Sequence, residues 1–137
     1  RFFPDRDAVV TPSGVRHTWA QVDERSTRLA NALLALGLEK GDRVVLYVQN
    51  SPQFVVSYYA ILRLGAVVVP VNPMLVTEEL GHYFEDSGAA VAICGGVLYP
   101  QLSPHLGEGS FERVIVAPLR RWRKSPIRRA LRRCTRT

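Results

Sequence analysis

The residues whose types and spacing could do chemistry are few, and each has a plainer structural reading. Cys94-Gly95-Gly96 closes an apolar run and precedes a helical stretch, the place where the backbone amides of a phosphate loop would cradle an anion. Neither GxGxxG nor GxxxxGK[ST] is present, so the glycine pair is expected to be a turn at a strand end. His17, His82 and His105 fall in a hairpin, a helix and a proline-containing loop, and none adjoins a Ser or Cys nucleophile in a recognisable motif. A histidine activates a nucleophile only within hydrogen-bond reach, so all three are expected to be surface or cap residues. Glu85-Asp86 is an acidic pair near a helix end, but adjacent helical side chains point in different directions and form no dyad. Cys94 and Cys134 stand forty residues apart without CxxC spacing, too few ligands for a closed zinc site. Cys94 is expected to be a buried, inert thiol. On residue chemistry alone, no catalytic, cofactor-binding or metal residue is assigned.

Size and charge narrow the classes further. The chain has 137 residues, enough for one domain, with 47% hydrophobic and 22% charged residues. That balance excludes a disordered chain, a collagen-like fibre and a disulfide scaffold, and such a domain buries roughly 68% of its unfolded surface. A nucleotide site, a second substrate site and a lid do not fit easily in one such domain. The net charge of +6 conceals an asymmetry. Residues 1–119 carry nine Lys or Arg against twelve Asp or Glu, whereas residues 120–137 carry nine Lys or Arg and no acid. The body is mildly acidic and the tail strongly basic. The chain opens on Arg1 rather than Met, which suggests a fragment, a processed form or an incompletely read product, and no apolar signal segment follows. Its longest apolar stretch, Phe54 to Val71, has Arg63 near its middle and is divided by Gly65 and Pro70. A central Arg costs about 2.5–3.5 kcal/mol in membrane insertion, so a buried helix and strand are expected there. The few cysteines fit a reducing cytoplasm.

The elements that would position these residues can be read from periodicity. Ala8–Thr11 and Val15–Thr18 flank Pro12-Ser13-Gly14, a hairpin turn. Thr18-Trp19-Ala20-Gln21 has the form of a capping box, and Trp19, Val22, Ser26, Leu29, Leu33 and Leu36 then make one face of a helix ending at Gly37. Gly41-Asp42 makes a turn and Arg43–Val48 a strand. Asn50-Ser51-Pro52 starts a second helix through Leu64, apolar on nearly every face and so expected to be enclosed. Ala66–Val71 is a β-branched run expected to be covered on both sides. Thr77–Ser87 is a third helix with Thr77 as its cap and Glu78 and Glu79 in its first turn. Ala89–Cys94 is a buried strand, residues 97–106 are weakly helical around Pro100 and Pro104, and Arg113–Ala117 is a last strand. This alternation predicts an α/β fold, a mainly parallel sheet with flanking helices and right-handed crossovers, preceded by a small β-hairpin.

An ordered series of segments over residues 2–96 resembles the N-terminal part of the acyl-CoA synthetases (fatty-acid–CoA ligases) of the adenylate-forming, AMP-binding superfamily. The series is Phe3-Pro4-Asp5-Arg6-Asp7-Ala8-Val9-Val10, then His17-Thr18-Trp19-Ala20-Gln21-Val22-Asp23, then "LLALGLEKGDRVVL" from Leu33 to Leu46, then Asn50-Ser51-Pro52-Gln53-Phe54. "YAILRLGAVVVPVNPMLVTEEL", from Tyr59 to Leu80, is the strongest piece, and Ser87-Gly88-Ala89-Ala90-Val91-Ala92-Ile93 completes the series.

The resemblance implies ATP-dependent ligation of a fatty acid or related carboxylic acid to CoA through an acyl-adenylate, with ATP, Mg²⁺ and CoA as the full-length family's cofactors. The family's "T-S-G-T-T-G-x-P-K-G" loop would follow the last strand and is absent, so the resemblance places no functional residue here and implies a chain inactive alone. Residues 1–117 are read as the incomplete synthetase domain and 118–137 as a basic tail, disordered or a short helix. In that tail Ile127, Ala130, Leu131 and Cys134 share one helical face, with Trp122 just before it. The expected partners are the remainder of a synthetase or a second copy. A non-catalytic interaction domain, or an anionic membrane or nucleic acid bound through the tail, are the alternatives.

Overall fold

The computed structural model describes residues 3–117. The elements, in chain order, are β1 (Asp7–Val10), β2 (Arg16–Thr18), α1 (Trp19–Ala35), β3 (Arg43–Tyr47), α2 (Pro52–Arg63), β4 (Val67–Pro70), α3 (Thr77–Ser87), β5 (Val91–Gly95), α4 (Tyr99–Leu102), a 3₁₀ turn (Ser103–His105) and β6 (Arg113–Ala117). They fall into two compact units. One runs to Asp42 and resumes over Asn50–Val67; the other takes Arg43–Gln49 and the described residues from Val68 onward. The expected tail helix lies outside the described residues.

The first unit is a hairpin and two helices. β1 and β2 pair antiparallel, with an irregularity between Asp7 and Val9. Trp19 N–H donates to Arg6 O and Ala20 N–H to Pro4 O, while Gln21 N–H donates to Thr18 Oγ1 and Thr18 N–H to Gln21 Oε1. The orphan donors of the first turn of α1 are thereby occupied by the chain that enters it. Both helices end alike. Gly37 N–H reaches Leu34 O and Leu38 N–H reaches Leu33 O; Gly65 N–H reaches Leu62 O and Ala66 N–H reaches Ile61 O. These are Schellman closures, which need a left-handed residue, and the glycines supply φ of 86° and 70°.

The helices α1 and α2 pack on one another. α1 buries Val22, Ser26, Ala30 and Leu33, and α2 buries Val56, Ser57, Ala60 and Ile61. Ser26 is fully buried; its hydroxyl donates to Asp23 O and accepts from Arg63 Nε at 3.1 Å, while the Arg63 guanidinium pairs with the Asp23 carboxylate. Trp19 meets Tyr59 edge-on, and Tyr58 lies between Phe54 and Tyr59. The expectation that α2 is enclosed is corrected: Tyr58, Tyr59 and Leu62 are exposed. An all-round apolar composition reveals the number of apolar faces, not how many this chain itself covers.

The second unit is a four-stranded sheet in the order β4-β3-β5-β6, with β3–β5 and β5–β6 parallel. Val44–Val48 and Val91–Gly95 are buried without a break, as central strands covered on both faces require. Alternate residues Val45, Tyr47, Ala92 and Cys94 share one core with Leu80 and Phe84 of α3, Leu102 of α4 and Phe111. Phe84 stacks on Phe111 with centroids 3.9 Å apart. β4 is an edge strand with Val67 and Pro70 exposed, which corrects the expectation that its β-branched run is covered on both sides. The cap of α3 is Val76, not Thr77, which is already helical; the Glu79 carboxylate accepts from Val76 N–H at 3.1 Å.

Candidate functional site

In an open parallel sheet, ligands bind at the carboxyl ends of the strands, so the segments there decide what this unit can hold. Gly95 ends β5 and Gly96 follows it. Gly96 N–H donates to Ala117 O at 3.1 Å and Leu98 N–H to Gly95 O at 2.9 Å. Neither glycine has a positive φ, and a Cβ on Gly95 would sit 3.7 Å from Leu98 and 3.9 Å from the Val48 Cα, in ordinary contact. These amides extend the β5–β6 ladder and close a turn. They do not fit a nucleotide phosphate chain, which needs amides turned outward together.

Beside them, Tyr47 at the end of β3 is fully buried. Its hydroxyl lies 3.0 Å from Leu75 O and also contacts Gln101. A phenol has one proton. It serves the Leu75 carbonyl, and Gln101 completes the arrangement when its amide NH₂ faces the phenol oxygen. Burial first, and the neighbouring Cys94 second, push the Tyr47 phenol up from its ordinary value. Tyr47 thus joins β3, the turn before α3, and α4. Sequence reasoning missed it; the available signal was a lone tyrosine in a valine-rich strand, where the buried hydroxyl must find a partner. In that turn Asn72 Oδ1 accepts from Met74 N–H and Asn72 O from Leu75 N–H.

The other candidates separate widely. Cys94 is fully buried, its S–H donates to Gly95 O, and burial pushes the thiol up to about 12, leaving it un-ionised at neutral pH. His82, Glu85 and Asp86 are exposed on α3. His17 corrects the expectation of a surface or cap residue. It is buried, and Nδ1 lies 3.0 Å from Arg25 Nη1. A guanidinium only donates, so Nδ1 accepts and the ring is neutral; burial first, then the Arg25 charge, lower its pKa. His105 is also no bare surface residue: it is partly buried between Thr77 O and Glu108. Among the described residues no cluster of three or more His, Cys, Asp or Glu is placed to hold a metal, and no helix is long and apolar enough to cross a membrane.

Residues 1–130 match the AMP-binding enzyme family. The chain belongs to that family. Among its relatives is the long-chain-fatty-acid–CoA ligase FadD13 of Mycobacterium tuberculosis (strain ATCC 25618 / H37Rv), 43% identical over 98 residues, which are 71% of this chain and 20% of that protein. Among solved structures, the N-terminal domain of FACL13 from Mycobacterium tuberculosis has a TM-score of 0.74 and 38% identity, covering 81% of this chain and 30% of that one. The anthranilate CoA ligase AuaEII in complex with anthranoyl-AMP has a TM-score of 0.78 and 29% identity, covering 83% and 22%. This AMP-binding family member therefore has the α/β fold of its CoA-ligase relatives and spans about a fifth of the length of the first curated relatives it matches.

Proposed function

We propose that this chain is the opening scaffold of an ATP-dependent acyl-CoA synthetase. The whole enzyme joins a fatty acid or related carboxylic acid to CoA, converting ATP to AMP and pyrophosphate. The observation that carries the reading is the 43% identity to a fatty-acid–CoA ligase over 71% of this chain, on a fold shared with CoA-ligase structures. Those relatives name a long-chain fatty acid and anthranilate, so the shared substrate is a carboxylic acid and no chain length follows.

Within that enzyme the described residues supply framework. The Gly96 and Leu98 amides at the end of β5 are engaged in backbone pairing, the one described thiol is buried, and Tyr47 braces the turn before α3. ATP, Mg²⁺ and CoA belong to the complete enzyme, and this chain alone is inactive. The exposed aromatic side of α2 in one unit and the half-buried β6 edge in the other suit a chain whose core is completed by the rest of a synthetase. A second copy is the other partner such surfaces would take.

The test is direct. The purified 137-residue chain, given ATP, CoA and a panel of fatty and aromatic acids, is expected to form no acyl-CoA above background. A chimera in which residues 3–117 replace the matching segment of FadD13 is expected to retain ligase activity. Turnover by the isolated chain would refute the scaffold role.

A further inference from the structure

The segment between α4 and β6 is tied to α3 through one side chain. His105 Nε2 lies 2.6 Å from the Thr77 carbonyl oxygen, and Nδ1 lies 2.7 Å from Glu108 Oε2. A carbonyl oxygen only accepts, so Nε2 carries a proton; an ionised carboxylate only accepts, so Nδ1 carries one too. Only the imidazolium satisfies both partners. The ring is packed as well as bonded: a Cβ on Gly81 would come within 3.3 Å of ring carbon Cε1, and the Phe84 centroid is 6.2 Å away. The loop beyond is closed on itself, with Glu108 N–H on His105 O, Phe111 N–H on Glu108 O and Gly107 N–H on Phe111 O. Phe111, at its end, is the residue stacked on Phe84.

We propose that His105 is a pH-operated latch that, as imidazolium, clasps the Glu108-bearing loop to α3 and releases the Glu108 end when Nδ1 loses its proton. The neutral ring keeps Nε2–H on Thr77 O, but its Nδ1 lone pair then faces a carboxylate. That contact is repulsive, and Glu108, whose side chain is 67% exposed, turns into water. From α3 the ring meets the Thr77 carbonyl, Gly81 and Phe84; the ionisable residues of that helix (Glu78, Glu79, His82, Tyr83, Glu85, Asp86) are all exposed. α4 offers Tyr99, and the start of β6 brings exposed Glu112 and Arg113. Glu108 supplies the charge felt at the ring. Burial lowers the His105 pKa, but the Glu108 hydrogen bond, the Thr77 carbonyl and the Glu108 charge outweigh it, and the net shift is upward. The sign follows from linkage: the latch is fully closed below the unfolded-state value of about 6.5 and is lost as pH rises through the higher folded-state value.

The experiment follows the ring nitrogens of the whole 137-residue chain by NMR from about pH 5 to about pH 8, with amide exchange read at Glu108 and Phe111. Both nitrogens are expected to be protonated below the midpoint. That midpoint is expected to lie above the one for the same chain unfolded in urea, each unit of difference being a factor of about ten in the closed-to-open ratio. Glu108→Gln, an exposed change, is expected to lower the midpoint. Above it, protection at Glu108 and Phe111 is expected to fall relative to β5. His105→Gln is expected to abolish the pH dependence of that protection; should it fail to fold, the wild-type titration and Glu108→Gln decide. A native midpoint at or below the unfolded one, one unmoved by Glu108→Gln, or loop protection indifferent to pH would overturn the proposal.

Discussion

Each unit withdraws a histidine from most of the solvent, His17 buried and His105 partly buried, and the two sites favour opposite charge states. In the helical unit His17 accepts from Arg25 and is neutral. In the sheet unit His105 lies against Thr77 O and the Glu108 carboxylate, two acceptors that favour its charged form. Burial disfavours the charged form at both sites; what differs is the partner. A cation next to the ring adds to the effect of burial, whereas a carboxylate and a carbonyl reverse it. Desolvation alone therefore does not decide the charge of a partly or fully buried imidazole, and the same residue type is expected to make one unit acid-sensitive and the other alkali-sensitive.

The comparison can be broken hardest at the sheet. Phe111→Ala removes a fully buried ring from its stack on Phe84 and is expected to cost about 3–5 kcal/mol. Urea unfolding should show this, with amide protection lost first over Val91–Gly95 rather than in α1. If α1 and β5 lose protection together, the units unfold as one.

At the helix ends the contrast lies within one unit. Gly65→Ala places a Cβ 3.0 Å from Lys40 Cγ at φ 70°, whereas Gly37→Ala meets open space at φ 86°. Both force alanine into the left-handed region at about 1–2 kcal/mol, and thermal melts should show Gly65→Ala as the worse of the two. Thr18→Ala removes the hydroxyl half of the α1 capping box and is expected to cost about 1 kcal/mol, read as earlier fraying at Gln21.

The smallest effect is the pH slope from His17. Its folded pKa is depressed, so its contribution is full above the unfolded value of about 6.5 and is lost as pH falls through the lower folded value. His17→Gln, which retains an acceptor for Arg25, should flatten the loss of helical-unit stability in that window. An unchanged slope would place the acid sensitivity elsewhere.

What was legible in the sequence was what neighbouring residues decide. The Pro12-Ser13-Gly14 turn, the Thr18–Gln21 capping box, the glycines closing α1 and α2, and β6 at Arg113–Ala117 all stand where local pattern puts them. The parallel sheet followed from the alternation of elements. Partner-dependent features were not legible. Thr77 has the chemistry of a cap, yet Glu79 caps the Val76 amide instead, because the chain enters α3 one residue earlier. The valines of β4 suit a central strand equally well, and only the strand order makes them an edge. His17 and Arg25 are eight residues apart, and Tyr47 and Gln101 fifty-four, so no local pattern announces either pair. The expected turn at Gly95-Gly96 was readable, whereas the brace at Tyr47 beside it was not.

Cys94 has one more consequence. Its sulfur lies fully buried in β5, one of the two inner strands, and the thiolate is a vanishing fraction at neutral pH. An alkylating reagent can react there only during the moments when the strands part. Mass spectrometry of a peptide containing this residue would therefore clock those openings, turning a chemically silent atom into a stopwatch for the sheet.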